Sequence, residues 1–282
     1  MTIAIEKYFR PKNLKELFDN IKEHNASIIG GGITFSLSKS SKKINAIDLE
    51  YLGLNRIKTY KSKVVLDSCV SMGDILRDEY LRKFRNGIFP EALNGVANTP
   101  LRNLITVGGN IAQLFYWSTL PVVFFALDSK IELHSSKGKR ILSSDEFFQK
   151  QPRLIMEKDE IVTSVIIPTP GKNEGVAYKK FEVTENSYAM IQVAVDIKVF
   201  GKKIKSSRIV LGSITQLPQR CVEAEIFLTG KPCTADVFSE AGQIALKDVK
   251  IRKDFRASKE FRQEVASVLV RRALEEACKN LE

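Results

Sequence analysis

The sequence predicts a mixed α+β chain in two parts, and three observations carry that expectation. The N-terminal half alternates an amphipathic helix, short strands and a further helix. A segment with two prolines and two glycines, Pro168-Thr-Pro170-Gly171-Lys-Asn-Glu-Gly175, breaks any regular element. Beyond it the texture changes to a strand of strict alternation followed by helices. A length of 282 residues, set against a prior of roughly 150 residues per domain, also favours two domains.

The elements follow in order. Leu14, Leu17, Phe18 and Ile21 recur at helical spacing and share one face. Asn13 with Glu16 three residues on has capping-box spacing, Pro11 sits just upstream, and His24-Asn25 ends the helix. Ser27-Ile28-Ile29 reads as a short buried strand running into Gly30-Gly31-Gly32. Strands are expected at Asn45 to Leu49 and Val64 to Asp67, and a helix from about Ser71, where Ser71 and Asp74 repeat the capping-box spacing. An irregular stretch, Gly95 to Asn103, precedes Gly108-Gly109. Leu120 to Leu127 is the longest apolar run; far short of the ~20 residues that span a bilayer, it reads as a buried segment. Strands are expected at Lys130 to Ser135 and Ile161 to Ile167.

In the second part Val193, Val195, Ile197 and Val199 alternate with Ala194, Asp196 and Lys198, the pattern of a half-buried strand. Gly201-Lys202 turns the chain and Ile204 to Ile214 returns, giving a hairpin. A helix from about Ser258 to Cys278 is expected to bury Phe261, Val265, Val268, Leu269 and Ala273. The simplest C-terminal domain is a sheet covered by helices on one side.

Composition excludes several function classes. The start, Met1-Thr-Ile-Ala-Ile-Glu-Lys, lacks the features of a signal peptide, so a cytoplasmic protein is the default expectation. Cys69, Cys221, Cys233 and Cys278 are far apart and form no C-x-x-C pair. They read as buried or semi-buried thiols in a reducing compartment, and no metal or iron–sulfur site is expected from this chain alone. His24 and His134 sit in no motif and read as surface or strand residues. The net charge of +11 is scattered. Its densest patches, Lys39 to Lys43, Lys202 to Lys205 and Lys250 to Lys253, do not alternate with aromatics as a stacking platform would. A solvated surface is the favoured reading, then docking to an acidic protein partner, then nucleic acid.

The paired-glycine loops carry the chemistry. Without a Cβ, glycine lets backbone N–H groups approach a ligand closely, and two such loops can wrap a diphosphate from both sides. That points to a dinucleotide cofactor. Gly30-Gly31-Gly32-Ile33-Thr34-Phe35 does not supply the G-x-G-x-x-G of a Rossmann site, although Asp48 lies at a tempting distance. Ser36 to Lys43 would make a poor first helix, and there is no P-loop. Two tight turns with no ligand stay open as the structural alternative.

Thr106-Val107-Gly108-Gly109-Asn110-Ile111-Ala112, taken with the first loop, resembles the FAD-binding medium subunit of the molybdenum hydroxylases. These are the xanthine, carbon monoxide and nicotinate dehydrogenase type of enzyme. That family's loops read Ala-Gly-Gly-Thr-Asp-Leu and Thr-Ile/Val-Gly-Gly-Asn-Ile/Leu-Ala. Its Asp-Leu strand is matched by Ile47-Asp48-Leu49, its Tyr-x-Lys-Phe by Tyr178-Lys179-Lys180-Phe181. Its closing pattern is matched by Asp254-Phe-Arg256-Ala257-Ser258, Arg262 and Arg271-Arg272-Ala273-Leu274. The resemblance spans essentially the whole chain in order.

The resemblance implies a two-subdomain FAD-binding fold of the PCMH and vanillyl-alcohol-oxidase type over residues 1–170. A C-terminal domain of antiparallel sheet plus helices, typical of carbon monoxide dehydrogenase flavoproteins, would follow over residues 176–282. It implies that Ile29, Gly30, Gly31, Gly32, Ile33 and Thr34, with Thr106, Gly109 and Asn110, hold the FAD diphosphate. It also implies that Val96, Ala97, Leu101 and Ile105 line the cofactor, and that Ile155 and Met156 lie near the flavin ring. Lys179 would reach the ring's neighbourhood, or else be an ordinary strand lysine. The family's FAD-binding Asp is Thr119 here, and its Arg after Tyr-x-Lys-Phe is replaced at Val183 or Thr184. Tyr116 and Trp117 stand where relatives have smaller residues, either to stack on a ring or as core.

The implied role is electron transfer. FAD takes electrons from a [2Fe–2S] small subunit and passes them to NAD+, a quinone or dioxygen, while a separate molybdopterin large subunit performs the hydroxylation. No catalytic residue and no metal ligand is assigned to this chain. The alternatives are a flavin-free scaffold subunit of such a complex and a basic nucleic-acid-binding module. A bulky β-branched residue at Gly31 or Gly109 is expected to abolish flavin retention in a protein that stays folded.

Overall fold

A computed structural model of the chain describes residues 4–37, 43–185, 187–247 and 249–281. The chain divides into two compact units that interleave in sequence. The first comprises Met1–Ile75, Asn98–Gln113 and Lys130–Ile167; the second comprises Leu76–Ala97, Leu114–Ser129 and Pro168–Glu282. The fold is α+β throughout.

The first unit holds two sheets. β1 (Ile5–Phe9), β2 (Ser27–Ile29) and β3 (Ile44–Asp48) form a parallel sheet in the order β1-β3-β2, with Ile28 opposite Ile47. The Leu14–His24 helix packs Leu17 and Phe18 onto Ile47 and Leu49. Asn13 accepts the Glu16 N–H at 2.9 Å, whereas the Glu16 carboxylate turns to the Lys12 N–H at 2.8 Å, so the expected box closes one residue early. Asn25, left-handed at φ 45, ends the helix.

β4 (Ile57–Thr59), β5 (Lys63–Asp67), β6 (Lys130–Ser135), β7 (Gly138–Ser143) and β8 (Ile161–Pro168) form the second sheet, in the order β4-β5-β8-β6-β7. β1, β4 and β7 were not foreseen: β1 and β7 are largely exposed and β4 has only three residues, so the hydrophobic alternation that marks a strand is missing. The Ser71–Asp74 capping box is reciprocal and opens the Met72–Arg77 helix, with Ser71 Oγ taking the Asp74 N–H and Asp74 taking the Ser71 N–H.

Two other expectations change. The irregular stretch before the second glycine pair contains a Thr99–Arg102 helical turn capped by Asn98. Residues Ile33–Leu37 are helical despite the serine-rich run that follows. The rest of that run, residues 38–42, lies outside the described residues, as does most of the Lys39 to Lys43 patch.

The second unit is built on an antiparallel sheet in the order β12-β11-β10-β9, from β9 (Glu174–Phe181), β10 (Ile191–Phe200), β11 (Lys203–Gly212) and β12 (Gln219–Arg220). The β10–β11 hairpin turns at Gly201, φ 61. The helices Val222–Leu228, Ala235–Ile244 and Lys259–Lys279 cover one face around Val193, Val195, Ile209, Leu211 and Leu269. The expectation of a sheet covered on one side is corrected. The Leu120–Ala126 and Ile88–Leu93 helices pack on the opposite face, so Gln192 and Ala194 are buried as completely as Val193. Close approach demands glycine there: a Cβ on Gly212 would stand 2.3 Å from Val122 Cγ2.

The C-terminal helix buries Leu269 and Ala273 as expected and packs Val265 on the core, but its buried face is otherwise rotated. Arg262, Ala266, Leu269, Val270, Ala273, Leu274 and Ala277 are buried, whereas Phe261 and Val268 are exposed. The stripe shifts by one residue because Arg262 is fully buried and paired with Asp254 at 2.6 Å, a partner that helical periodicity cannot reveal.

Candidate functional site

Strand β2 delivers Ile29, buried, into the first glycine loop, and Gly32 takes the left-handed conformation at φ 78. Gly30 and Gly31 pack directly against the segment that leads to the second pair. A Cβ on Gly31 would lie 1.6 Å from the Leu104 carbonyl oxygen, and one on Gly30 would lie 2.8 Å from Thr106 Oγ1. Glycine is required because the two loops touch through backbone. Among the described residues, the amides of Gly30, Gly31 and Gly32 meet no acceptor. Ile33 and Thr34 open the helical turn that follows, both half-buried.

Gly108 and Gly109 are not a free loop. They lie in the first turn of the Val107–Gln113 helix. The four opening amides, normally orphaned, are already engaged. Val107 N–H goes to Val70 O at 2.8 Å and Gly108 N–H to Ser68 O at 2.7 Å. Gly109 N–H goes to Thr106 Oγ1 at 3.1 Å and Asn110 N–H to Thr106 O at 2.9 Å. Gly108 is glycine because a Cβ there would meet Ser68 Cβ at 2.7 Å. The expectation that backbone amides of both loops are bare is therefore corrected for the second. What that loop presents instead is the Thr106 hydroxyl, between Gly30 and Gly109, and the Asn110 side chain, whose buried Oδ1 has no partner.

The Pro152–Leu154 turn packs beside the Val107–Gln113 helix, which brings half-buried Ile155 and Met156 to the same region of this unit. Arg140 pins that segment, donating to Ile155 O at 2.9 Å and gripping Glu160 through Nε and Nη2 at 2.7 and 2.8 Å. The Arg140 guanidinium holds the Glu160 carboxyl below its usual range. Sequence reasoning missed this pair: it joins β7 to the residue just before β8, 20 residues on, and leaves no local pattern. A groove of about 310 Å³ elsewhere in the unit, lined by Arg56, Lys58, Asp67 and His134 among others, contains none of the predicted residues.

Ala97, Thr119 and Lys179 belong to the second unit. Ala97 is half-buried and strained at φ 50. Thr119 is buried and hydrogen-bonds Tyr178, whose hydroxyl donates to Gln192 at 2.7 Å; Gln192 in turn donates to Ser213 at 2.7 Å. Lys179 is held between Glu91 and Glu276, so its charge is balanced where it stands. Tyr116 and Trp117 pack edge to face, and Trp117 lies between Phe115 and Tyr188 at 4.8 Å from each. Arg252, expected as part of a solvated basic patch, instead stacks on Tyr116 at 3.5 Å. Among the described residues, no helix is long and apolar enough to cross a membrane.

Residues 3–170 match the FAD binding domain in molybdopterin dehydrogenase, and residues 176–277 match the CO dehydrogenase flavoprotein C-terminal domain. The chain belongs to the FAD-binding medium subunits of the molybdopterin dehydrogenases. The glyceraldehyde dehydrogenase medium chain of Sulfolobus acidocaldarius is 29% identical over 223 residues, 79% of each chain. The caffeine dehydrogenase subunit beta of a Pseudomonas species is 26% identical, covering 96% of this chain and 94% of that one. In structure, the medium subunit resembles carbon monoxide dehydrogenase from Hydrogenophaga pseudoflava, with TM-score 0.92 over all of both chains at 23% identity. This medium subunit is thus an FAD-binding part of an oxidoreductase complex of that type.

The geometry also corrects the expected effect of substitution at Gly31. Any side chain there strikes Leu104 backbone, so loss of flavin would accompany loss of the folded unit. Gly109 is exposed, and its Cβ would meet only the rotatable Thr106 hydroxyl, at 2.8 Å.

Proposed function

We propose that this medium subunit relays electrons from a [2Fe–2S] partner subunit to NAD+, a quinone or dioxygen, in a complex whose separate molybdopterin subunit performs the hydroxylation. Residues 1–170 act as the FAD-binding domain and residues 176–282 as the C-terminal domain, in the cytoplasm. The observation that carries the reading is the first loop: three successive glycine amides that meet no acceptor among the described residues, with Gly30 and Gly31 packed against Leu104 and Thr106. Consecutive backbone amides of this kind suit a diphosphate.

The residues fit the cofactor in a divided way. Ile29 to Thr34 hold the diphosphate through backbone N–H groups. Thr106 is left free to donate its own hydroxyl hydrogen, since its oxygen takes the Gly109 amide. Asn110 offers an unpartnered carbonyl oxygen to a ligand hydroxyl or amine. Ile155 and Met156 supply apolar contact, on a segment fixed by Arg140 and Glu160. Ala97, Thr119 and Lys179 contribute through the packing of their own unit. Bound FAD supplies the chemistry that links one-electron and two-electron steps.

The test is the chain purified alone and again with its partner subunits. Flavin absorbance in the isolated chain, with reduction by purine or aldehyde only when the partners are present, is expected. Turnover of such a substrate by the isolated chain would overturn the reading. The flavin-free scaffold is favoured by one observation, the engagement of the second loop's amides within the protein. Its outcome is a folded, colourless protein that does not take up FAD.

A further inference from the structure

Cys233 and Cys278 stand 45 residues apart in sequence, yet their thiols lie close enough to interact. The packing of two helices explains why. Gly242, in the Ala235–Ile244 helix, approaches the Lys259–Lys279 helix so closely that a Cβ would stand 2.5 Å from the Ser267 carbonyl oxygen. Cys233 lies nine residues before Gly242 and Cys278 eleven residues after Ser267. The two contacts place the helices antiparallel, and the register brings the cysteines opposite one another at one end of the pair. Both side chains are half-buried against the same core, which leaves them reachable. Cys221 is buried and Cys69 lies in the other unit, so among the described residues this is the pair the fold sets up.

We propose that Cys233 and Cys278 form a reversible intramolecular disulfide that clips the end of the C-terminal helix to the segment preceding the Ala235–Ile244 helix. The oxidant is a small disulfide such as oxidised glutathione. The Cys233 thiolate attacks one glutathione sulfur, the glutathione S–S bond breaks, and one glutathione thiolate leaves. Cys278 then loses its proton and attacks the Cys233 sulfur of the mixed disulfide, and the second glutathione departs. Two protein thiols give up two electrons and two protons, and one glutathione disulfide becomes two glutathione thiols. Burial pushes the Cys278 thiol up to about 12, which slows its own attack on an outside disulfide.

The experiment equilibrates the full-length chain in mixtures of reduced and oxidised glutathione, counts thiols after denaturation and maps the peptides. Two of the four cysteines are expected to disappear together, with a mass loss of two hydrogens and a single Cys233–Cys278 crosslink that dithiothreitol reverses. The closed form should melt higher by roughly 5 °C. Cys69→Ser should retain the crosslink, while Cys278→Ser should lose it and hold glutathione at Cys233. Four titratable thiols at every ratio, or a crosslink to another cysteine or between chains, would overturn the proposal.

Discussion

A single methyl group separates two kinds of glycine in this chain. At Gly31 the added Cβ would sit 1.6 Å from a backbone oxygen, a contact no rotamer relieves, so Gly31→Ala is expected to destabilise the first unit by about 3 kcal/mol or more. A shifted urea midpoint checks this, and an unchanged one would mean that the loops do not touch. Asp254 gives a second prediction. It accepts from Arg256 and from the fully buried Arg262, and those hydrogen bonds hold its carboxyl far below the usual range. A depressed carboxyl contributes stability that is present above the unfolded value, near 4, and lost as pH falls below it. Asp254→Asn leaves the Arg262 cation without its charged partner, and should cost about 3–5 kcal/mol at pH 7. It should also flatten the acid side of the stability profile. A profile that keeps its wild-type slope below pH 4 would remove Asp254 from that account.

Among the elements, the sheet of the second unit shows where sequence patterning succeeds and where it stops. Alternation along β10 and the Gly201 turn located the hairpin, because those signals are local. The same alternation implied one wet face, yet Gln192, buried on that face, pairs with Tyr178 and Ser213 beneath the Leu120–Ala126 helix. A polar residue satisfied by distant partners looks in sequence like an exposed one. The same reason displaced the expected face of the C-terminal helix, where Arg262 took a core position. Helix-on-sheet contact at Gly212 is testable as a pair. Gly212→Ala should destabilise by about 1–3 kcal/mol, and Val122→Ala, which removes the methyl 2.3 Å away, should relieve part of that loss. A double-mutant cycle with no coupling would contradict the contact.

For the molecule as a whole, motif order along the chain made the family and its cofactor legible, since glycines at close backbone approaches leave a mark in sequence. The interleaving of the two units left no such mark: Leu76–Ala97 and Leu114–Ser129 pack with the C-terminal segment through long-range contacts. Nor did the sequence distinguish glycines that bare their amides from glycines that permit packing, because both demand the absence of a side chain. Only the hydrogen-bond partners of Val107, Gly108 and Gly109 make that distinction. The proposed electron-transfer role depends on the first kind being present at Gly30 to Gly32.

Titration of the flavin-stripped chain with FAD, followed by flavin fluorescence, is the most direct measurement. Run on wild type, Gly109→Val and Asn110→Ala beside their urea melts, it should give one FAD per wild-type chain. Binding by each variant should be at least about tenfold weaker, or about 1.4 kcal/mol, with folding retained. Equal affinity in all three proteins, or no saturable binding to folded wild type, would contradict the account.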